Sequence, residues 1–502
     1  MRPKKKPRRG SGSEGMKARM ILFTRSRAIA VVDRFTQTRI GTFLQQRFAE
    51  RFTKPSQTVF LLLALGFVLS SVRHTVANYL WRSGACLVRH YTRFYTFLGG
   101  PFFCEMDGLW RAVIRQAARH VPEGEPIRVR VDETVCKKSG EKVQPADTYR
   151  NGAGTARQEY RKLWGICFVL GEMRVRLPGW PSDFVSVPIG LEVYLKEEKA
   201  EKLGQKYVRR SRLGQRLVNR VAEELGPERR VLSVQDGNYA TQYFLQDLSE
   251  NVDVVGRMPK NAALYERPGP QPENKPGPDP EKGDKIGSPE ELVEEKLAES
   301  GPKWQEHPIE EDAEVYSFEA IWQGVLPGEV LRVVILRRPH LKDADSAKKR
   351  KRYLEVFFTT DLRLGPEQIL QEYRGRWSIE ILIREAKESF GLGKDRCRNT
   401  RKISGVNNFR LLIGAAEVLY TAENEAAEGQ EADDQPSTAA ESSEEIDQLR
   451  PWYEDSGPPT LFDLHWSIRE ELAGAGITPK VGLNATSGEL GQIGSSAQLR
   501  TG

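Results

Sequence analysis

The chain has 502 residues, with 39% hydrophobic and 29% charged side chains and a formal charge of +7. That length is enough for several domains, and the longest apolar run, residues 59–69, is too short to span a bilayer. Five scattered cysteines without a CxxC pair, and six histidines without ligand spacing, indicate neither a disulfide framework nor a structural zinc site. Residues 423–447 hold ten acids and no Lys or Arg, so the rest of the chain stands at +17 once they are set aside. A basic body with an acidic appendix points to a polyanionic partner, with solubility alone as the plain alternative. These features describe a reduced protein, and the expected location is cytoplasmic.

In chain order, residues 1–19 read as a disordered basic arm. Residues 20–122 carry helical patterns, clearest over 58–79 and 106–120. Here Arg73, His74, Arg82, Arg89, His90 and Arg93 alternate with Tyr79, Trp81, Tyr91 and Tyr95. A helical DNA-binding domain and an ordinary helical domain with solvated basic faces both fit.

From residue 123 the texture becomes α/β. Residues 127–133, 163–170, 184–195 and 230–235 read as strands, 202–225 and 240–248 as helices, and 252–256 as a further strand. This first α/β part runs to residue 258. Lys202, Lys206, Arg209, Arg216 and Arg220 fall at helical spacing, as a DNA-facing or a solvated stripe. Residues 259–362 form a separate segment. Within it, residues 266–303 are rich in Pro, Gly, Glu and Lys and read as a linker or disordered loop, followed by strands at 314–321, 331–336 and 353–359. A helix is expected over 366–390, in a final α/β part reaching 422. Residues 423–449 read as disordered and acidic, and 450–502 as a tail with one short helix at 461–472.

The 366–390 helix carries the chemistry. Tyr373, Arg376, Glu380 and Lys387 project within an arc of about 60° if the helix is continuous. Ile379, Leu382, Ile383, Ala386 and Phe390 make the adjoining apolar face. Glu385 falls off the charged arc, which leaves Glu380 as the carboxylate among phosphate-binding groups. An Arg376–Glu380 ion pair on a plain helix is the alternative reading. Asp132 ends one predicted strand and Asp236 another, where side chains converge beside loops. Glu133 should face away from Asp132. Three carboxylates suit a pair of Mg²⁺ or Mn²⁺ ions.

The spacing Tyr373, Arg376, Glu380, Lys387, with DETVCKKSGEK at 132–142 and VLSVQDGNY at 231–239, resembles the DDE transposases of bacterial insertion sequences that carry a Y-R-E-K signature. Phe390-Gly-Leu-Gly is similar as well. The resemblance spans about residues 127–395. It implies an RNase H-like catalytic domain with a β-rich insertion, preceded here by the helical N-terminal part. It implies Asp132, Asp236 and Glu380 as the residues holding two Mg²⁺ (or Mn²⁺) ions. Tyr373, Arg376 and Lys387, together with Lys137, Lys138 and Trp377, would lie along the DNA, core packing being the alternative for Trp377. The partners implied are double-stranded DNA, as the element's terminal inverted repeats and the target, and a second protomer. The activity implied is cut-and-paste transposition. A nuclease that cuts without joining, and a non-catalytic DNA-binding derivative, are the other readings. Trp304 and Trp322 are the insertion aromatics available to stack a base, with structural packing as their alternative.

Overall fold

The computed structural model describes residues 30–70, 74–150, 162–178, 180, 183–269, 280–295, 304–306, 312–342, 352–431 and 460–478. The basic arm at 1–19 and most of the acidic segment lie outside them. The chain divides into two units, one built from residues 1–112, 179–181 and 385–502, the other from 113–178 and 182–384.

The first unit opens with α1 (Arg39–Arg47), α2 (Lys54–Val68), α3 (Val76–Arg82), α4 (Ala85–Val88), α5 (Thr92–Gly99) and α6 (Pro101–Ala118), the last of which continues into the second unit. The sheet unit follows, with β1 (Ile127–Lys137), β2 (Asp147–Arg150), β3 (Lys162–Arg176), β4 (Phe184–Tyr194), α7 (Glu197–Lys202), α8 (Arg210–Leu225), β5 (Val231–Gln235), α9 (Gln242–Leu245) and β6 (Val252–Arg257). Then come β7 (Leu264–Tyr265), β8 (Lys285–Gly287), α10 (Pro289–Glu295), β9 (Gln305–Glu306), β10 (Glu314–Ile321), β11 (Val330–Arg337) and β12 (Leu354–Thr359). The chain continues through α11 (Pro366–Arg374), α12 (Trp377–Glu388), α13 (Thr400–Glu431) and α14 (Leu461–Gly474).

The helical unit is drawn from both ends of the chain, rather than from residues 20–122 alone. The long α13 runs through its interior, with residues 403–420 all buried, including the polar Asn407, Asn408, Arg410 and Glu417. Arg410 on α13 is fully buried; it donates to the Tyr79 hydroxyl (3.1 Å), to the Gly391 carbonyl (2.6 Å) and to the His74 carbonyl. His74 and Tyr79 are therefore buried partners of Arg410 and not part of a basic surface, while Arg73 lies outside the described residues. The helix in the C-terminal segment belongs to this unit too: His465 of α14 bonds Glu417 (2.9 Å) and the Ser70 carbonyl (3.3 Å). The start of the acidic segment, residues 423–431, continues α13 and corrects the disordered reading there.

In the sheet unit β4, β3 and β1 pair antiparallel, and β1, β5 and β6 then run parallel. The inserted strands do not build a sheet of their own. β12 pairs antiparallel with β6, and β11, β10, β7 and β8 follow, so one twelve-stranded sheet runs throughout. Within the stretch read as a loop, β8 and α10 are ordered elements. The basic stripe expected over 202–225 is interrupted: α7 ends at Lys202 and α8 begins at Arg210, so of the five cations only Arg216 and Arg220 lie on α8.

Helices cover both faces. Gly214 of α8 sits so close to Val131 and Tyr239 that an added Cβ would lie 3.0 and 2.7 Å from them. On the other face, Ile369 and Leu370 of α11 pack with Leu232, Val234, Val255, Val334, Leu336 and Phe357, and Tyr373 borders this cluster. Side chains alternate along β1, so Arg128, Arg130 and Asp132 point toward α11 and α12, and Val131 and Glu133 toward α8.

Candidate active site

Asp132 lies in the middle of β1, not at its end. Its parallel pairing with β5 nonetheless stops at Val129–Ser233. Beyond that point the strands part, and Gln235 bridges the gap by accepting from the Val131 amide (3.2 Å) while donating to Ser233 (2.7 Å). Asp236 follows directly after β5 and caps the short turn Gly237–Tyr239. The two carboxylates thus stand where adjacent strands diverge.

Glu380 comes from α12. The expected single helix over 366–390 is broken between Arg374 and Trp377, so Tyr373, Arg376 and Glu380 do not share one helical arc. Gly375 sits at the break. A Cβ there would stand 3.0 Å from Arg130 Nη2 and 3.2 Å from the Glu372 carbonyl, so glycine lets the chain pass closely over the guanidinium. α11 itself starts where Gly365 and Pro366 predict, with Gln368 accepting from the Gly365 amide (2.9 Å). Ile379, Leu382, Ile383, Ala386 and Phe390 are buried, as the apolar face requires.

The break still brings the named groups together. Arg376 donates through Nη2 to Glu380 Oε1 (2.6 Å) and lies 3.8 Å through Nη1 from Asp132 Oδ2. The Tyr373 hydroxyl donates to Asp236 Oδ1 (3.4 Å), its ring packed 4.7 Å from Phe357. Asp132 accepts the Glu133 amide (2.8 Å). Glu133 turns to the other face, held by Arg210 (2.5 Å) and Tyr239 (3.2 Å). Trp377 is 60% exposed, which excludes core packing. Lys137 is exposed at the end of β1, Lys138 is half-buried beside it, and Lys387 lies on the last turn of α12, in the part of the chain that belongs to the helical unit. Trp304 and Trp322 are both buried, the first under Arg337 (3.9 Å) and the second against Phe358 (5.7 Å).

Arg128 and Arg130, which make β1 more polar than a central strand usually is, find partners that support this corner. Arg130 and Glu172 face each other across β1 and β3, fully buried and 3.1 Å apart. Ser378, in the first turn of α12, donates to the same Glu172 oxygen. Arg128 on β1 pairs with Glu372 of α11 (2.8 Å). The polar character of β1 is thus explained by carboxylates and a hydroxyl that arrive from β3, α11 and α12. An acid inside the otherwise apolar run LWGICFVLGEM was the one available signal for Glu172.

Burial, with the charges of Glu133 and Asp236, pushes the Asp132 carboxyl up to about 7, against the pull of Arg376 and the Glu133 amide. A raised folded-state value means that the folded protein keeps this proton from about pH 4 to 7 while the unfolded chain loses it. Stability is therefore expected to fall through that window, and the cost is fully present above it. Asp132→Asn should stabilise the metal-free protein at pH 8 by about 1–3 kcal/mol, a figure discounted for the side chain's partial exposure, and change little at pH 4. Urea unfolding at both pH values checks this; equal midpoints for parent and variant at pH 8 would refute it.

Among the described residues, no three His, Cys, Asp or Glu side chains stand close enough to share one ion. The cation joining Asp132 to Glu380 is the Arg376 guanidinium. The donor set nonetheless suits a hard divalent ion: all-oxygen carboxylates, one of them raised chiefly by burial.

Comparison with known families decides the class. The family model "DDE superfamily endonuclease" matches residues 47–312, more than half of the chain. The chain belongs to this DDE endonuclease superfamily. A second match, to an archaeal ISC1217-type transposase domain, covers residues 326–421. Asp132 and Asp236 fall within the first match, and Tyr373, Arg376, Glu380 and Lys387 within the second. No curated protein matches the chain. Membership in the DDE superfamily carries an RNase H-like fold, action on DNA and a general use of divalent metal ions. Among the described residues, no helix is long and apolar enough to cross a membrane.

Proposed function

We propose that the chain is a transposase of the Y-R-E-K type, which cuts DNA at the ends of an insertion sequence and joins them to a target. The observation that carries this reading is the approach of Asp132, Asp236 and Glu380, from three distant segments, to the Arg376–Tyr373 pair. In this reading the three carboxylates hold two Mg²⁺ or Mn²⁺ ions. Bound ions of this kind activate an attacking oxygen and stabilise a leaving one.

The chain's own residues then act on the phosphodiester. Arg376, which now offsets Asp132 and Glu380, would turn to a phosphate oxygen once they are otherwise neutralised, because its planar fork suits either partner. Tyr373 holds Asp236 in place. Trp377, Lys137, Lys138 and Lys387 supply contacts along the DNA. In the first step a water oxygen bonds to phosphorus, the bond to the 3′-oxygen breaks, and a 3′-hydroxyl is freed. In the second that hydroxyl attacks a target phosphodiester and expels its 3′-oxygen. Two protomers would process the two ends.

The test uses duplexes carrying the inverted repeats that bound the gene, incubated with the purified chain and Mg²⁺ or Mn²⁺. Expected are nicks with 3′-hydroxyl ends and joined products, both abolished by chelation. Nicks without joined products would reduce the reading to a nuclease. The Arg376 bridge favours one other reading, a DNA-binding derivative in which the guanidinium permanently replaces the ions. Calorimetric titration with Mn²⁺ separates the two, since the derivative would bind DNA with no carboxylate-dependent uptake of Mn²⁺.

A further inference from the structure

The helical unit holds a cavity of about 420 Å³, lined by Asn78, Trp81, Tyr95, Asp395 and Arg396 among others, within the usual range for small-ligand sites. Three independent observations describe what would enter it. The first is its aromatic wall, made by Trp81, 49% exposed, and the half-buried Tyr95, whose ring lies 6.5 Å from that of the exposed Tyr91 outside the lining. Large rings left in water at a cavity mouth have apolar surface to offer a planar partner.

The second observation is charge. Residues 51–104 contain six Lys or Arg and no Asp or Glu. The other wall comes from Asp395, Arg396 and Cys397, in a segment where Lys394, Arg396, Arg398, Arg401 and Lys402 are all exposed and the sole acid, Asp395, is buried. The third is rigidity. Asp395 accepts from Asn407 (3.0 Å) and from the Cys397 amide (3.1 Å), so the basic segment is anchored to α13 rather than free to collapse into the cavity. Asn78 is fixed by a bond to Ser70 (3.0 Å).

An aromatic wall of Trp81 and Tyr95 beside the exposed Arg396 matches one ligand chemistry: an aromatic heterocycle attached to a phosphate chain. Base stacking on exposed aromatic rings beside a positively charged groove is how unpaired strands are held without sequence preference. We propose that this cavity receives an unpaired nucleobase of the DNA, stacked on Trp81, with the flanking phosphates on Arg396 and Arg398. The proposal rests on the reading of the chain as a DNA-processing protein, and adds to it a site for unpaired bases remote in sequence from the three carboxylates.

The test measures the affinity of the full chain for a fluorescein-labelled single-stranded oligonucleotide of mixed sequence, and for the fully paired duplex of the same sequence. Trp81→Ala should lose about tenfold or more in affinity for the single strand and stay within about twofold of the parent on the duplex. Trp81→Phe should recover most of the loss. Arg396→Gln should weaken both substrates alike, because phosphate contacts are blind to pairing. If Trp81→Ala binds the single strand as tightly as the parent, or loses affinity for both substrates equally, the proposal is overturned. Running Glu380→Gln alongside keeps the two readings apart: binding needs no cutting. A parent that never cuts DNA but shows the Trp81 effect would overturn the transposase reading alone, and a parent that binds neither substrate would overturn both.

Discussion

Replacing Glu380 or Asp236 by Ala is expected to lower the rate of metal-dependent nicking by about a thousandfold or more, since groups that act as a unit each carry nearly the full effect when removed. Binding of the same duplex should persist, because the exposed cations proposed to contact phosphates are untouched. The two substitutions should also be non-additive, with the double variant little worse than either single one. Asp236→Ala has a secondary consequence of its own, since it leaves the Tyr373 hydroxyl without its carboxylate acceptor. Tyr373→Phe separates the contributions: a modest loss of cutting is expected if the phenol only steadies Asp236. Initial rates of nicking at saturating Mn²⁺ decide the matter. Cutting by either alanine variant at the parental rate would remove both residues from the reaction.

The second large effect is expected at Glu172. It is buried and paired with a buried Arg130, and it also accepts from Ser378. Removing the carboxylate leaves a guanidinium in the interior without its counter-charge, a change that costs about 3–5 kcal/mol. Glu172→Ala should therefore unfold at a markedly lower urea concentration than the parent. Replacing both partners together, Arg130→Met with Glu172→Leu, removes the stranded charge and should restore most of that stability. Cutting, by contrast, should stay depressed in the double variant. Ser378 loses its acceptor, and with it the bond that fixes the first turn of α12 against β3, two residues from Glu380. A double variant that cuts normally would show that the pair serves stability alone, and an unchanged urea midpoint for Glu172→Ala would show that the charge is not effectively buried.

How much of this was legible in the sequence depends on what each feature rests upon. Strands β1, β5, β6, β10, β11 and β12 announce themselves, because Val-rich runs bounded by polar turns have few other uses. The carboxylates at 132, 236 and 380 stood out through their positions along those elements and through the family resemblance. The break at Gly375 did not. Apolar periodicity continues through it, and the close passage of Gly375 over Arg130 depends on a pairing between β1 and β3. Glu172 escaped notice for the same reason: a buried acid is intelligible only once its partner is located. The gap between α7 and α8 was concealed by cations that keep helical spacing across a non-helical connection. The pairing of the chain's two ends in one helical unit was hidden because each amphipathic segment records that it has a buried face and not which segment covers it. The same blindness made Tyr79 and His74 look like surface groups.

The extension of the sheet by the inserted strands has a consequence for how the molecule comes into being. Chains emerge from the ribosome N-terminus first, and the contact between Arg128 and Glu372 joins positions 244 residues apart. β1, β3 and β4 can zip together early, whereas the last carboxylate must await the whole run of strands from β7 to β12. Pairings of such long sequence separation are slow to form. A nascent or truncated copy thus holds two of its acids long before the third arrives.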